Sequence, residues 1–564
     1  MQHHAFFLPN TMHPMPDIYI PMDKLKGAKT GDKVIVQLTK WEHSNKKPEG
    51  EVLEIFTPEK ENDMAMKSIV AESGFPLVFD GEVLAFAKTL SDKISPEEIA
   101  KRKDYRKVLT FTIDPVDAKD FDDAISFQHL DNGHIEIGVH IADVSHFVQP
   151  GTAVDKAAYE RATSVYLPDR VYPMLPERIS NELCSLRPKE EKLTFSATFE
   201  IDATGKIVHT WYGKTVIFSD RRFTYEDVQE IIETKEGDHK DEILWLHEYT
   251  QDLRKKRFEN GAINFSSQEV RFTLDANGKP TGITVKESKA SHQLIEELML
   301  KANQLIAEKM GSVKVKKEVL PFPYRVHDQP NEDKLNPFVV FAKKHGYHFN
   351  IDSPDHIAHS FNNLMLASKG KPEQHVLEQL GIRTMAKAVY TTNNIGHYGL
   401  GFEHYCHFTS PIRRYPDVLV HRIVQSVLMG NAMNDEGLEE KCAHCSMRER
   451  AAMEAERAAN KYKQVEFMRD YLGHSFEGII SGVASFGFFV ETVEHKCEGL
   501  VTIASLSKFD DFKLIEADYA LVGSRSGRKF NMGDKVVVKV AAANLDKRQL
   551  DFEWEVNGML NKKD

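Results

Sequence analysis

The chain has 564 residues, 41% of them hydrophobic and 28% charged, an ordinary globular composition that is too long for one core and predicts about three or four domains. Five scattered cysteines (Cys184, Cys406, Cys442, Cys445 and Cys497) argue against a disulfide framework and for a reducing compartment. No apolar run reaches the roughly 18 residues a membrane span needs, and the first twenty residues lack a basic region followed by an apolar core, so a cytoplasmic protein without a membrane partner is expected. The formal net charge of -12 does not exclude nucleic acid, because a basic channel coexists readily with acidic outer surfaces and an acidic metal site.

In chain order, residues 17 to 56 alternate apolar and polar in short runs ("DIYIP", "DKVIVQLTKW", "GEVLEIF") around the turn "GAKTGD". This pattern predicts a small antiparallel barrel. A helical connector follows over 61–105, with Ser95 as N-cap and Pro96 at the first helical position. From 106 to 470 strands such as "HIEIGVHIADVSHFV" mix with helices. "SHQLIEELMLKANQLIAEKM" puts Leu294, Leu298, Leu305 and Ile306 on one helical face, and "MRERAAMEAERAANKYKQVEFMRDYL" is a charged helix with little apolar stripe until its end. Residues 474 to 556 return to short strands with regular turns and predict a five-stranded barrel of OB type. The fold class expected is therefore multidomain: OB-type barrel, central α+β domain, OB-type barrel.

The densest chemistry lies in "TIDPVDAKDFDDAIS", where Asp114, Asp117, Asp120, Asp122 and Asp123 fall within ten positions between apolar strands. Such a loop either repels itself or holds cations. Magnesium takes oxygen ligands in octahedral geometry, and a pair of ions about 3.5 to 4 Å apart serves phosphodiester displacement. The alternative is a structural loop with capping aspartates, although the EF-hand pattern of Gly at position six and Glu at twelve is absent.

This loop, as "DPVDAKDFDDA", resembles the signature of the ribonuclease II/R (RNB) exoribonuclease family. "TSVYLPDRVYPMLPERISNELCSL", "PFPYRVHDQP" and "HFTSPIRRYPDVLVHR" follow in the family's order, in wording nearer the R than the II branch. The resemblance implies a cold-shock-type OB barrel within 1–60, a connector over 61–105, an RNB catalytic domain over 106–470 and an S1-type RNA-binding barrel over 474–556. The branch's N-terminal helix-turn-helix, first cold-shock barrel and lysine-rich tail have no counterpart here. It further implies a Mg2+-dependent hydrolase, with two ions, that degrades single-stranded RNA from a free 3′ end and releases nucleoside 5′-monophosphates. A monomer working beside RNA-decay or ribosome-associated partners is implied as well.

Residue by residue, the resemblance makes Asp114, Asp120, Asp122 and Asp123 the magnesium carboxylates, with Asp122 indispensable for chemistry and Asp117 outside the set. Arg413 sits on the scissile phosphate, where a guanidinium's donor fork suits phosphate oxygens; a swap with Arg414 is left open. Tyr166 and Phe265 form an aromatic clamp, tolerant of base identity because every base has a π-face. Glu296 and Glu456 contact the last nucleotides, and Phe476, Phe486, Phe488 and His495 line the S1-type barrel's RNA surface. Strand alternation requires that Phe488 or Phe489 point inward.

"CAHC" at 442–445 has zinc-like spacing but lacks a second ligand pair. His327 and His421, the best placed histidines, are expected to be structural or RNA-adjacent. No phosphate-loop motif indicates an ATP-driven motor. The rival expectation is an inactive RNA-binding adaptor built on the same domains, which should have lost an aspartate or the arginine.

Overall fold

The computed structural model describes all residues except 1–3, 10–14, 42–47, 56–60, 266–268, 316, 372, 433–434 and 557–564. At the N-terminus the strands His4–Phe7, Ile18–Pro21, Val34–Lys40 and Glu49–Ile55 form one sheet in the order first, second, fourth, third. Ile18, Ile20 and Val52 make its buried face. Two pairings are antiparallel, but Ile18–Pro21 runs parallel to Glu49–Ile55, which departs from the wholly antiparallel arrangement expected.

The connector helices Glu61–Glu72, Gly81–Thr89 and Pro96–Ala100 follow. Ser95 caps the last of these, its side chain accepting from the Glu98 N–H, with Pro96 in the first turn, where its missing N–H costs nothing.

The central domain is built on a seven-stranded sheet in the order Arg221–Thr224, Thr110–Asp114, Asp123–His129, Ile135–Ala142, Glu191–Ile201, Ile207–Phe218 and Lys103–Asp104. Period-two alternation sends Phe111, Ile113, Ile125, Phe127, Val139 and Phe195 to one face. There they pack against the helices Lys240–Glu259 and Ala290–Gly311. Leu294, Leu298 and Ile306 are fully buried in that contact, while Leu305 is only partly covered. Ala124, Ala142 and Ile217 face a second cluster with Val154, Ala158, Val418 and Leu419. The helices Glu332–Lys344, Pro354–Ser368 and Gln374–Thr384 form a further layer with its own core around Phe338 and Phe361.

A helix of 32 residues, Leu438–Arg469, leads to the C-terminal barrel. Its contact face is made of Ala452, Ala455, Ala459 and Tyr462 against Met66, Ile69 and Val70 of the connector. Alanine lets the helices approach closely, which explains the missing apolar stripe. The barrel closes through Ser475–Ala484, Gly487–Thr492, Glu498–Thr502, Gln549–Trp554 and Lys535–Asn544. A three-stranded sheet, Phe512–Ile515, Ala520–Gly523 and Lys529–Asn531, is inserted before its fourth strand.

Candidate active site

Antiparallel pairing of Thr110 with Ser126 and Phe111 with Ile125 places Asp114, at the end of one strand, and Asp123, at the start of the next, at the same edge of the sheet. The loop between them is pinned from several sides. The Phe121 N–H donates to Ser185 Oγ at 3.0 Å, and Ser185 Oγ donates to the Lys119 carbonyl at 2.8 Å. Arg222 Nη2 donates to the carbonyls of Pro115 and Val116 at 2.6 and 2.9 Å, with its guanidinium 5.1 Å from the Phe121 ring centre. The carboxylates are thus held on a fixed backbone, and mutual repulsion cannot simply push them into solvent.

Asp114 and Asp122 are buried. Burial raises the pKa of Asp122 well above the usual carboxylate range, opposed by the nearby Arg413 charge and by the Ile412 N–H, which donates to Asp122 Oδ1 at 2.9 Å. Burial likewise raises Asp120. Asp114 and Asp123 are raised by burial, and each is raised further by neighbouring aspartates. Asp114 Oδ2 is buried and has no hydrogen-bond partner among the described residues. Buried, like-charged, hard oxygen donors with an unpartnered lone pair are the chemistry a divalent cation satisfies. Among the described residues no three acidic, histidine or cysteine side chains are grouped so that they alone could hold a metal ion. The donor set fits an ion that keeps water and phosphate oxygens in its shell, as magnesium does.

The strap "HFTSPIRRYPD" crosses this edge of the sheet and resolves the two arginines. Arg414 is half-buried against the fully buried Asp417, donating from Nε to Oδ2 at 3.0 Å and from Nη2 to Oδ1 at 2.8 Å. Asp417 also accepts the Ser410 N–H at 2.7 Å. Arg413 instead leaves 44% of its side chain exposed, with Nε 3.8 Å from Asp122 Oδ2. Arg414 is the clasp of the strap, and Arg413 is the guanidinium presented to the carboxylates.

Tyr166 joins the same site. Burial raises its hydroxyl to a pKa of about 12, with the charges of Arg413, Asp120 and Asp122 within reach. Phe265 does not join it by any ring contact among the described residues; it packs edge-on against Phe361 of the helical layer at 5.6 Å. Glu296 leaves 46% of its side chain exposed, 3.9 Å from both Arg254 and Arg257, and burial raises its pKa. Its neighbour Glu297 is buried, accepting from Arg257 at 2.5 and 3.1 Å. Glu456 lies on the exposed side of the long helix.

In the barrel the expected role of Phe488 is corrected. Phe488 is fully buried beside Phe530, ring centres 4.8 Å apart, so it cannot stack on a base. The facing is set at Gly487, whose φ of +149° brings it so near strand Glu498–Thr502 that a Cβ would lie 2.2 Å from the Val501 carbonyl oxygen. Phe489 then points outward and meets the half-exposed Phe486 edge-on at 6.0 Å. Phe476 and His495 form a separate ring cluster, 5.6 Å apart, against Tyr471 at the end of the long helix. Phe488→Ala should cost about 3–5 kcal/mol in urea unfolding of the barrel. Phe486→Ala should change it by no more than about 0.5 kcal/mol and instead weaken RNA binding.

Two residues near the carboxylates escaped sequence reasoning. Arg222 is the clasp of the loop described above. Tyr225 follows Thr224, which pairs in parallel register with Asp114; burial, then the charges of Asp123 and Asp114, push its hydroxyl up. The one signal available was the capping box of Thr224 and Asp227, which marks the helix start. Of the features set aside, Cys442 and Cys445 are buried within the long helix, and burial raises both thiols. His327 and His421 spend ring nitrogens on backbone carbonyls, those of Ala386 and Phe408.

An acidic site facing a half-exposed guanidinium, on a domain flanked in sequence by two OB-type folds, defines a nucleic-acid-processing enzyme. Residues 102–430 match the RNB domain, 6–80 a cold shock domain and 470–554 the S1 RNA binding domain. The chain belongs to the RNB family of exoribonucleases. It is 39% identical to ribonuclease R 1 of Lactococcus lactis over 90% of this chain and 62% of that protein. It is 36% identical to ribonuclease R of Aquifex aeolicus over 93% of this chain and 75% of that one. The solved structure of Mycoplasma genitalium RNase R in complex with ribose methylated single-stranded RNA is similar at a TM-score of 0.85 and 25% identity, covering 98% of this chain and 89% of that one.

Proposed function

We propose that this chain is a hydrolytic exoribonuclease that takes single-stranded RNA by its free 3′ end and releases nucleoside 5′-monophosphates, with Mg2+ as cofactor. The observation that carries the reading is the meeting of Asp122 and Arg413, 3.8 Å apart at one sheet edge though nearly 300 residues apart in the chain. An inactive adaptor has no use for three or four desolvated aspartates facing an exposed arginine, an arrangement that costs folding free energy.

Asp114, Asp120, Asp122 and Asp123 would hold the magnesium, which supplies Lewis-acid stabilisation of phosphate oxygens and an activated water. The chain's own residues do the rest. Arg413 pairs its donor fork with the phosphate and matches the charge that grows in the transition state. The Ile412 N–H holds Asp122 in place, so the strap that carries Arg413 and the loop that carries the carboxylates are one rigid unit. Tyr166, exposed on the same side, stacks on the terminal base without reading it. The cold-shock and S1 folds, which meet each other where Lys33 bonds Asp546 at 2.7 Å, supply single-strand binding surfaces beside the catalytic domain. No helix among the described residues is long and apolar enough to cross a membrane.

RNA labelled at its 5′ end should shorten as a ladder from the 3′ end in Mg2+, and stay intact in EDTA. Shortening that persists in EDTA would sink the metal-dependent mechanism. Tight binding without shortening would establish the adaptor.

A further inference from the structure

The turn that carries Tyr166 is tied to two parts of the molecule: to the strap it serves, where the Ser164 N–H donates to the Arg413 carbonyl at 3.0 Å, and, on its far side, to the connector helix. Strands Val165–Tyr166 and Val171–Tyr172 form a two-stranded hairpin, closed by the Leu167 N–H donating to the Arg170 carbonyl at 2.8 Å. Along it, Val165 (1% exposed) and Leu167 (8%) are buried, whereas Tyr166 between them is 39% exposed. Strand alternation explains the difference. Val165 and Leu167 enter the cluster made by Met66, Ile69 and Val70 of the connector helix Glu61–Glu72 and by Ala455 and Ala459 of the long helix. Tyr166 is turned the other way, off that core, beside the strap to which Ser164 is bonded through the Arg413 carbonyl at 3.0 Å, and within reach of the charges of Arg413, Asp120 and Asp122.

Polar contacts fix the turn to the same connector helix. Arg170 bonds Asp63 through Nη1 and clasps Asp169, with Nη2 to Oδ2 at 2.9 Å. Asn62 Nδ2 donates to Asp169 Oδ2 at 3.4 Å and to the Asn277 carbonyl at 3.3 Å. Asn62 Oδ1 in turn accepts from Lys463, which is wholly buried and also bonds the Gly278 carbonyl and Glu466. On its other side the connector helix is tied to the N-terminal sheet, because Lys67 bonds Asp63 at 2.8 Å and Glu54 of the strand Glu49–Ile55 at 2.6 Å. An unbroken line of side chains runs from the N-terminal sheet to the turn behind Tyr166.

We propose that Asn62 and Asp63 are positioning residues of the active site: by holding Asp169 and Arg170 they fix the hairpin that presents Tyr166 to the 3′-terminal base, so the N-terminal domain sets the catalytic geometry through the connector helix. Neither residue touches substrate. The Ser164 bond to the strap anchors the base of the hairpin, but beyond it the turn has only two paired residues on each strand and one closing backbone bond, too little to hold a stacking ring at its tip without the side-chain ties. Ring placement matters because small misalignments of a bound substrate are costly in rate.

The inference deepens the nuclease reading, and only its kinetic arm rests on that reading. Asn62→Ala with Asp63→Ala removes both ties while leaving Lys463 its other two partners and Lys67 its bond to Glu54. Two measurements decide. In amide hydrogen exchange, residues 164–172 of the double variant should exchange faster than in the parent while the central strand Glu191–Ile201 is unchanged; equal protection of 164–172 overturns the proposal. In hydrolysis of a short oligoribonucleotide, the double variant should lose about tenfold in kcat/KM with Tyr166 present and less than about twofold in a Tyr166→Ala background. Equal losses in both backgrounds mean the ties act on general stability and overturn it. A parent that hydrolyses no RNA overturns the nuclease reading instead, and the exchange measurement then decides the positioning role alone.

Discussion

Asp122→Asn should lower the rate of RNA hydrolysis by about a thousandfold while making the metal-free protein more stable. The two effects have one cause. Asp122 lies in a buried loop with its pKa raised chiefly by desolvation; Asp114 is raised by burial and then by Asp122 and Asp120, and Asp123 by burial and then by Asp114. For an acid whose folded pKa lies above its unfolded value, the folded state binds more protons through the intervening range, so stability falls as pH rises through it. In EDTA the melting temperature of Asp122→Asn should therefore exceed that of the parent, with a gap that opens as pH rises above the ordinary carboxylate range of about 4 and widens toward neutrality. Asparagine keeps an oxygen to accept the Ile412 N–H, so the strap is not released by the substitution. In Mg2+ the order should reverse, because a cation bound only by the folded parent adds its binding free energy to stability. Thermal melts over a pH series, with and without Mg2+, read all of this. A variant that is less stable than the parent in EDTA would show that the aspartate is held for structure.

The carboxylate loop was legible because its charge lies between apolar strands, and a desolvated acidic loop has few physical outcomes. The barrels were legible from alternation, and the helix through Leu294, Leu298 and Ile306 from its period. What stayed hidden depended on pairings over long separations. Tyr225 reaches the carboxylates only because Arg221–Thr224 lies in parallel register on Thr110–Asp114, more than 100 residues earlier. The strand containing Phe488 and Phe489 had two facings of equal pattern, and the choice between them rests on the approach of Gly487 to Val501. The register of the neighbouring strand also shifts, between Ile480 and Gly482. For Phe265 a motif match named a role as a base clamp, and the ring's contact with Phe361 in the helical layer does not test it. The long helix concealed its contact face by building it from alanine.

Adjacent arginines in "SPIRRY" carry the sharpest remaining contrast, since their substitutions should fail in different ways. Arg413 contributes little to the fold: its side chain is 44% exposed, and its one hydrogen bond from the guanidinium runs to Ser410 Oγ at 3.2 Å. Arg413→Met should keep the parent's melting temperature and lose about 100- to 1,000-fold in kcat, because the interaction it makes is strongest in the transition state. Arg413→Lys should recover only part of that loss, as an ammonium restores charge without the donor fork. Arg414→Met leaves Asp417 wholly buried and without its cation, which should cost about 3–5 kcal/mol and lower the melting temperature by about 10 °C. Adding Asp417→Asn should restore most of the stability, since the remaining amide still accepts the Ser410 N–H and carries no charge. Activity should return with it to the extent that the strap again holds Ile412 against Asp122. If Arg413→Met unfolds the protein while Arg414→Met spares the fold and stops hydrolysis, the two roles are exchanged and the phosphate-binding guanidinium is Arg414.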